Sequence, residues 1–197
     1  MSHVIPHDER HHDANSTDVF GFWLYILTDC ILFGSLFATF LVLNHPGAYG
    51  PALKDFISLP YVLIGTFLLL ASNFTFALAL MAFYRRQKVL SQCFLLLTFG
   101  LGLGFVVMEV NEFYHLVHEG YGWFVSGAAS AFYGLVATHG LHVSFGLLWI
   151  VIMMVQLSLF KDDVINEKRF IMLGIFWNFL DIVWIFVFTT VYLQGAL

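Results

Sequence analysis

The chain has 197 residues, of which 60% are apolar and 11% charged, with 23 Phe and a formal net charge of −5. Soluble domains carry about 25% charged residues, so the composition excludes one. The acids are spread over tail, loops and apolar runs with no basic face among them, which excludes nucleic-acid binding.

Residues 1–18 are polar, contain His3, His7, His11 and His12, and show no apolar periodicity, so they are expected to form a disordered tail. Ser16, Thr17 and Asp18 offer capping oxygens ahead of the first helix. The membrane domain fills the remainder, 19–197. A bilayer core takes roughly 20 apolar residues per helix, and five such runs follow, at about 20–43, 60–83, 93–114, 128–160 and 170–193. They are too long for a signal peptide and lack the alternation of a membrane barrel. The fold class expected is all-α, a polytopic bundle of five transmembrane helices.

The outer connections are short and turn-rich, with Pro46, Gly47, Gly50 and Pro51 in one and Gly120 and Gly122 in the other. All of the eight Lys and Arg residues except Lys54 fall on one side of this topology. Positive loops stay in the cytoplasm, so the N-terminus is expected to be cytoplasmic and the C-terminus periplasmic. Cys30 and Cys93 have no partner spacing and read as small buried hydrophobes, with neither disulfide nor metal implied.

Ionisable groups inside a membrane face the bundle and mark function or tight packing. The first run contains Asp29, the second the amide of Asn73, the third Glu109 and Glu112 with His115 at its end, the fourth His139 and His142, and the fifth Asn178 and Asp181. No Lys or Arg lies within the apolar runs to balance the acids. Protonation through desolvation, a histidine partner, a neighbouring subunit or a lipid head group remain as ways to neutralise them. Counting about 1.5 Å per residue, Asp29, His139 and Asp181 share a depth near the midplane, which allows a cluster of the three. Glu109 and Glu112 sit nearer the outer end.

The i+3 spacing of Glu109, Glu112 and His115, of His139 and His142, and of Asn178 and Asp181 predicts that each set lines one side of its helix. Ser130, Gly134, Thr138, His142 and Gly146, and likewise Gly100, Gly104, Met108 and Glu112, recur every four residues as small-residue ridges for close helix approach. Three chemistries are open to these groups: ligation of a metal or haem by the histidines, a proton path, and hydrogen bonding between helices or to a partner or lipid.

The stretches Thr138-His139-Gly140-Leu141-His142-Val143 and Phe176-Trp177-Asn178-Phe179-Leu180-Asp181-Ile182-Val183-Trp184 resemble the two most distinctive signatures of subunit III of the haem-copper oxidases. The likeness extends to Asp29 within Leu27-Thr28-Asp29-Cys30-Ile31-Leu32-Phe33, where that family keeps a membrane-embedded acid, and to Glu112-Phe113. With five spans in place of the commoner seven, the chain is most similar to the ubiquinol-oxidase branch of the cytochrome bo type. A cytochrome c oxidase subunit III is the alternative within the family; a small haem- or metal-bearing redox protein and a proton carrier are the alternatives outside it.

The resemblance implies a subunit of the bacterial inner membrane with no catalytic residue, haem, copper or quinol site of its own. It would lie against the catalytic haem-copper subunit I and other oxidase subunits, support their assembly and stability, and hold phospholipid in a cleft. Haems and copper would belong to subunit I, in a complex that oxidises ubiquinol, reduces dioxygen to water and pumps protons. The buried polar set Asp29, Glu109, Glu112, His115, His139, His142, Asn178 and Asp181 would then serve subunit or lipid contact. A lipid head group, or its counterpart on subunit I, is expected to neutralise Glu109 and Glu112. The family often has His at the place of Asn178 and Gln at that of Glu109, so the hydrogen bonds at those two positions do not transfer.

Overall fold

The computed structural model describes the backbone of residues 7–44, 59–120, 122–159 and 163–193, and the side chains of 19–44, 60–120, 122–159 and 166–192. Five long helices account for nearly all of it: α1 (His7–Leu43), α2 (Leu59–Tyr84), α3 (Lys88–His118), α4 (Gly127–Leu159) and α5 (Asp163–Val187). The chain leaves α5 through a π turn over Phe188–Leu193. Among the described residues there is no strand, and all five helices are long and apolar enough to cross a membrane.

The helices overrun the expected spans because a backbone hydrogen-bond ladder does not stop where apolar side chains do. α1 is continuous from His7, so Ser16, Thr17 and Asp18 lie within the helix and do not cap its start. Residues 1–6, and the side chains of 7–18, fall outside the described set. α3 starts at Lys88 and reaches His118, where Gly120 adopts φ +89°, a left-handed turn that favours glycine. α4 begins on Ser126, whose Oγ accepts the Ala129 amide at 3.0 Å as an N-cap.

α2 and α3 form a hairpin. Arg86 takes a left-handed φ of 59°; its amide donates to the Phe83 carbonyl at 2.9 Å, and that of Gln87 to the Ala82 carbonyl at 3.0 Å. This pair of bonds is the Schellman closure of a helix C-terminus. Along the hairpin, Ser91 donates to the Ala79 carbonyl at 2.9 Å, and the hydroxyls of Thr75 and Thr98 meet at 2.8 Å.

α5 is the centre of the bundle. Phe170, Leu173, Trp177, Leu180, Trp184 and Val187 are all buried, at alternating spacings of three and four that keep one seam facing the other helices. Trp177 ties four helices together: its indole N–H donates to Ser72 of α2 at 3.2 Å, and its ring fills the space over Gly102 of α3 and Gly146 of α4. A Cβ at Gly102 would stand 3.1 Å from that ring, and one at Gly146 only 2.8 Å.

The close approaches therefore use part of the expected ridges. Gly146 belongs to one, but a Cβ added at Gly100 or Gly134 would have nothing within 4 Å, and it is Gly102, midway between two members of the other ridge, that is crowded. A four-residue repeat shows that a flat ridge exists, and only the neighbouring helix decides whether it is used.

α1 is peripheral. In its most apolar stretch 22% is buried, against 56% in α5, and its buried positions reduce to the stripe Ile26, Asp29, Phe33 and Phe40. Cys30 and Cys93 are free and exposed, contrary to the expectation of burial: lipid accommodates a small apolar side chain as readily as a protein core does.

Candidate functional site

The intramembrane polar groups do not form one cluster. Asp29 faces α4, where its Oδ1 lies 3.8 Å from Nε2 of His142 and its Oδ2 has no hydrogen-bond partner. Nδ1 of His142 is 2.8 Å from the Thr138 carbonyl of its own helix. With Nδ1–H donating there, Nε2 presents a proton to Asp29 only as the imidazolium.

His139 turns away from that pair, toward α5. Its ring is fully buried, stacked on Trp184 with centroids 5.1 Å apart, and set edge-on to Phe105 and Phe33. Neither ring nitrogen has a hydrogen-bond partner. Asp181 faces α2, where its Oδ2 accepts from the Asn73 amide at 2.9 Å while Oδ1 has none. The depth-sharing residues Asp29, His139 and Asp181 thus go to three different interfaces.

Glu109 is packed against α4, where a Cβ on Gly140 would meet its Oε2 at 2.6 Å. Its Oε1 is buried without a partner. Glu112, one turn on, accepts from the Tyr192 hydroxyl at 3.3 Å. The π turn carries that tyrosine: adding a residue to the turn rotates the chain and aims Tyr192 at α3. His115 stands outside, exposed and paired with Glu119 at 3.2 Å on its own helix.

Asn178 is exposed, and its amide donates to the Gly174 carbonyl of its own helix at 2.8 Å. It lines an apolar groove of about 660 Å³ between α1 and α5, with Trp23, Phe37, Phe179 and Phe186 among its walls. The i+3 pairs therefore split. Residues three apart point about 60° from each other around a helix, and in a bundle that angle is enough to place them against different neighbours.

Sequence reasoning missed the indole bonds. Trp177 donates to Ser72, and Trp184 donates to Thr66 Oγ1 at 3.0 Å while its ring packs on Phe105 at 4.6 Å. A buried indole N–H needs an acceptor, and that requirement, with the heptad separation of the two tryptophans, was the available signal. His139 and His142 do not converge, and among the described residues no group of three or more His, Cys, Asp or Glu could hold a metal ion.

Residues 9–196 match the family of cytochrome c oxidase subunit III. The chain belongs to the cytochrome c oxidase subunit III family. A cytochrome bo(3) ubiquinol oxidase subunit 3 from Pseudomonas aeruginosa is 49% identical over 197 residues, covering 100% of this chain and 94% of the relative. Another so named, from Pseudomonas putida, is 47% identical, covering 94% and 90%. A cytochrome c oxidase subunit 3 from Bacillus sp. (strain PS3) is 41% identical, covering 89% and 84%. As a subunit III with five spanning helices, the chain is a multi-pass protein of the cell inner membrane, and other oxidase subunits are its partners.

Proposed function

We propose that this subunit III serves a haem-copper quinol oxidase without taking part in its chemistry. The complex would oxidise ubiquinol, reduce dioxygen to water and pump protons, with the haems and copper held by subunit I. The observation that carries the reading is the divergence of the two histidines: His139 is committed to an aromatic stack and His142 to Asp29, so the His-x-x-His pair offers no common ligand position. The donor rests on the relatives named for ubiquinol; the Bacillus relative, named for cytochrome c, carries the second reading.

The distribution of Lys and Arg supports a cytoplasmic N-terminus and a periplasmic C-terminus. The groove between α1 and α5, apolar apart from Asn178, suits a phospholipid acyl chain. Glu109 is 6% exposed and Glu112 is half-buried, so of the two acids Glu112 is the better placed to meet a lipid head group.

The test is purification through a tag on this chain in mild detergent, with mass spectrometry of the co-purifying subunits and lipids and a visible spectrum of the complex and of the isolated chain. Co-purification with a large haem-bearing subunit, oxygen uptake on ubiquinol, bound phospholipid and a colourless isolated chain are expected. A chain that purifies alone with a haem band overturns the reading, and oxygen uptake on cytochrome c but not on ubiquinol replaces the donor.

A further inference from the structure

Glu109 and Glu112 both line a small space between α2, α3 and α5, whose other walls include Tyr61, Phe105 and Trp184. The space has a volume of about 10 Å³, the size that holds roughly one water molecule. Three observations indicate that something polar belongs in it.

First, Glu109 is 6% exposed and its Oε1 has no hydrogen-bond partner. A buried acceptor left so is destabilising, because it has lost water and gained nothing in exchange. Second, the carboxyl group cannot relieve this by turning toward α4, because Oε2 already lies against Gly140, where only the absence of a Cβ makes room. Third, the neighbouring polar atoms leave acceptor capacity in the same space. Tyr61 donates its hydroxyl to the Met108 carbonyl at 3.1 Å and receives the Asn111 amide at 3.4 Å. Glu112 receives Tyr192 on Oε2, so its Oε1 is left to accept.

The oxygens left over are thus acceptors, and the Tyr61, Tyr192 and Trp184 donors around them are already engaged. A cation of calcium type gathers about 6–8 oxygens, more than walls that include Phe105 and Trp184 supply. A water brings two O–H groups and needs only a few partners.

We infer that a single ordered water occupies the space between α2, α3 and α5, donating one O–H to Glu109 Oε1 and the other to Glu112. It completes a hydrogen-bonded line from Tyr192 through Glu112 and the water to Glu109, so that the π turn of the C-terminal segment is linked through α3 to the glycine face of α4. This goes beyond the accessory role proposed above and does not depend on it.

The test is a cryo-electron microscopy map of the purified complex, at a resolution that shows buried waters, for the wild type and for Glu109→Gln, Glu109→Met and Gly140→Ala. A peak at hydrogen-bond distance from Glu109 Oε1 is expected in the wild type and in Glu109→Gln, which keeps an acceptor. It should be lost in Glu109→Met, an apolar side chain of similar volume, and in Gly140→Ala, whose methyl drives the carboxyl into the space. If the methionine variant fails to assemble, Gly140→Ala carries the comparison. An empty space in the wild type, a peak that survives both substitutions, or a peak ringed by oxygens at about 2.0–2.6 Å, the range of a bound cation, overturns the inference.

Discussion

The two tryptophans of α5 and the two histidines of α4 are both pairs of large, hydrogen-bonding rings inside the bundle, and their environments differ. Trp177 and Trp184 each have a hydroxyl acceptor on α2, whereas His139 has no hydrogen-bond partner and His142 bonds only a carbonyl of its own helix, with the Asp29 carboxylate 3.8 Å away. The same contrast runs through the molecule. The hydroxyls and indoles where α2 meets α3 and α5 are satisfied within the chain, while one oxygen of each of Asp29, Glu109 and Asp181 and both ring nitrogens of His139 are left over. The first set builds the fold. The second set consists of buried polar groups whose hydrogen bonding this chain leaves incomplete.

Breaking the first set should cost most. Trp177→Ala removes the ring that fills the space between Gly102 and Gly146, and a loss of about 3–5 kcal/mol is expected, as for other large core truncations, read as a lower temperature of complex dissociation in detergent. Gly146→Ala sets a methyl 2.8 Å from the same ring and should cost about 1–3 kcal/mol. Gly134→Ala, with open space around it, should be neutral or stabilising by up to about 1 kcal/mol through helix propensity. Equal losses from Gly134→Ala and Gly146→Ala in a thermal-stability assay would contradict the assignment of Trp177 as the tie between helices.

At the boundary between the sets stands Asp181, half satisfied by Asn73. Asn73→Leu leaves both carboxyl oxygens without that amide and should destabilise by about 1–3 kcal/mol; joint replacement of Asn73 and Asp181 by Leu should recover most of the loss, measured as a double-mutant cycle. The smallest loss is expected for Thr75→Val. Its hydroxyl meets Thr98, but Thr98 also bonds the Phe94 carbonyl of its own helix, so a loss of about 0.6 kcal/mol, the average for interhelical bonds in membranes, is expected.

Five spans and their membrane immersion were legible from composition, because lipid demands long apolar helices and little else. Their ends were not: α1 continues back to His7 and α3 on to His118 through residues whose polarity reports where the membrane stops, not where the helix does. The acids and histidines were legible as a list, and the signatures around His139 and Asp181 pointed to the right family. Their partners were hidden, since Asp29, His139 and Asp181 share a depth but face different helices, and helix order is written in no single segment. The seam of Thr66, Ser72, Thr75 and Ser91 went unread because a hydroxyl in a membrane helix can bond its own carbonyls, as Thr66 and Ser72 also do.

The central proposal is that the polar groups of this subunit serve packing and contact and take no part in electron transfer. The most direct test is the reduced-minus-oxidised visible spectrum and the initial ubiquinol-oxidation rate, both per assembled complex, of a His139→Leu, His142→Leu double variant. An unchanged haem spectrum and an unchanged initial rate, with less complex surviving purification, are predicted. Loss of a haem band from complexes that still contain every subunit would contradict it.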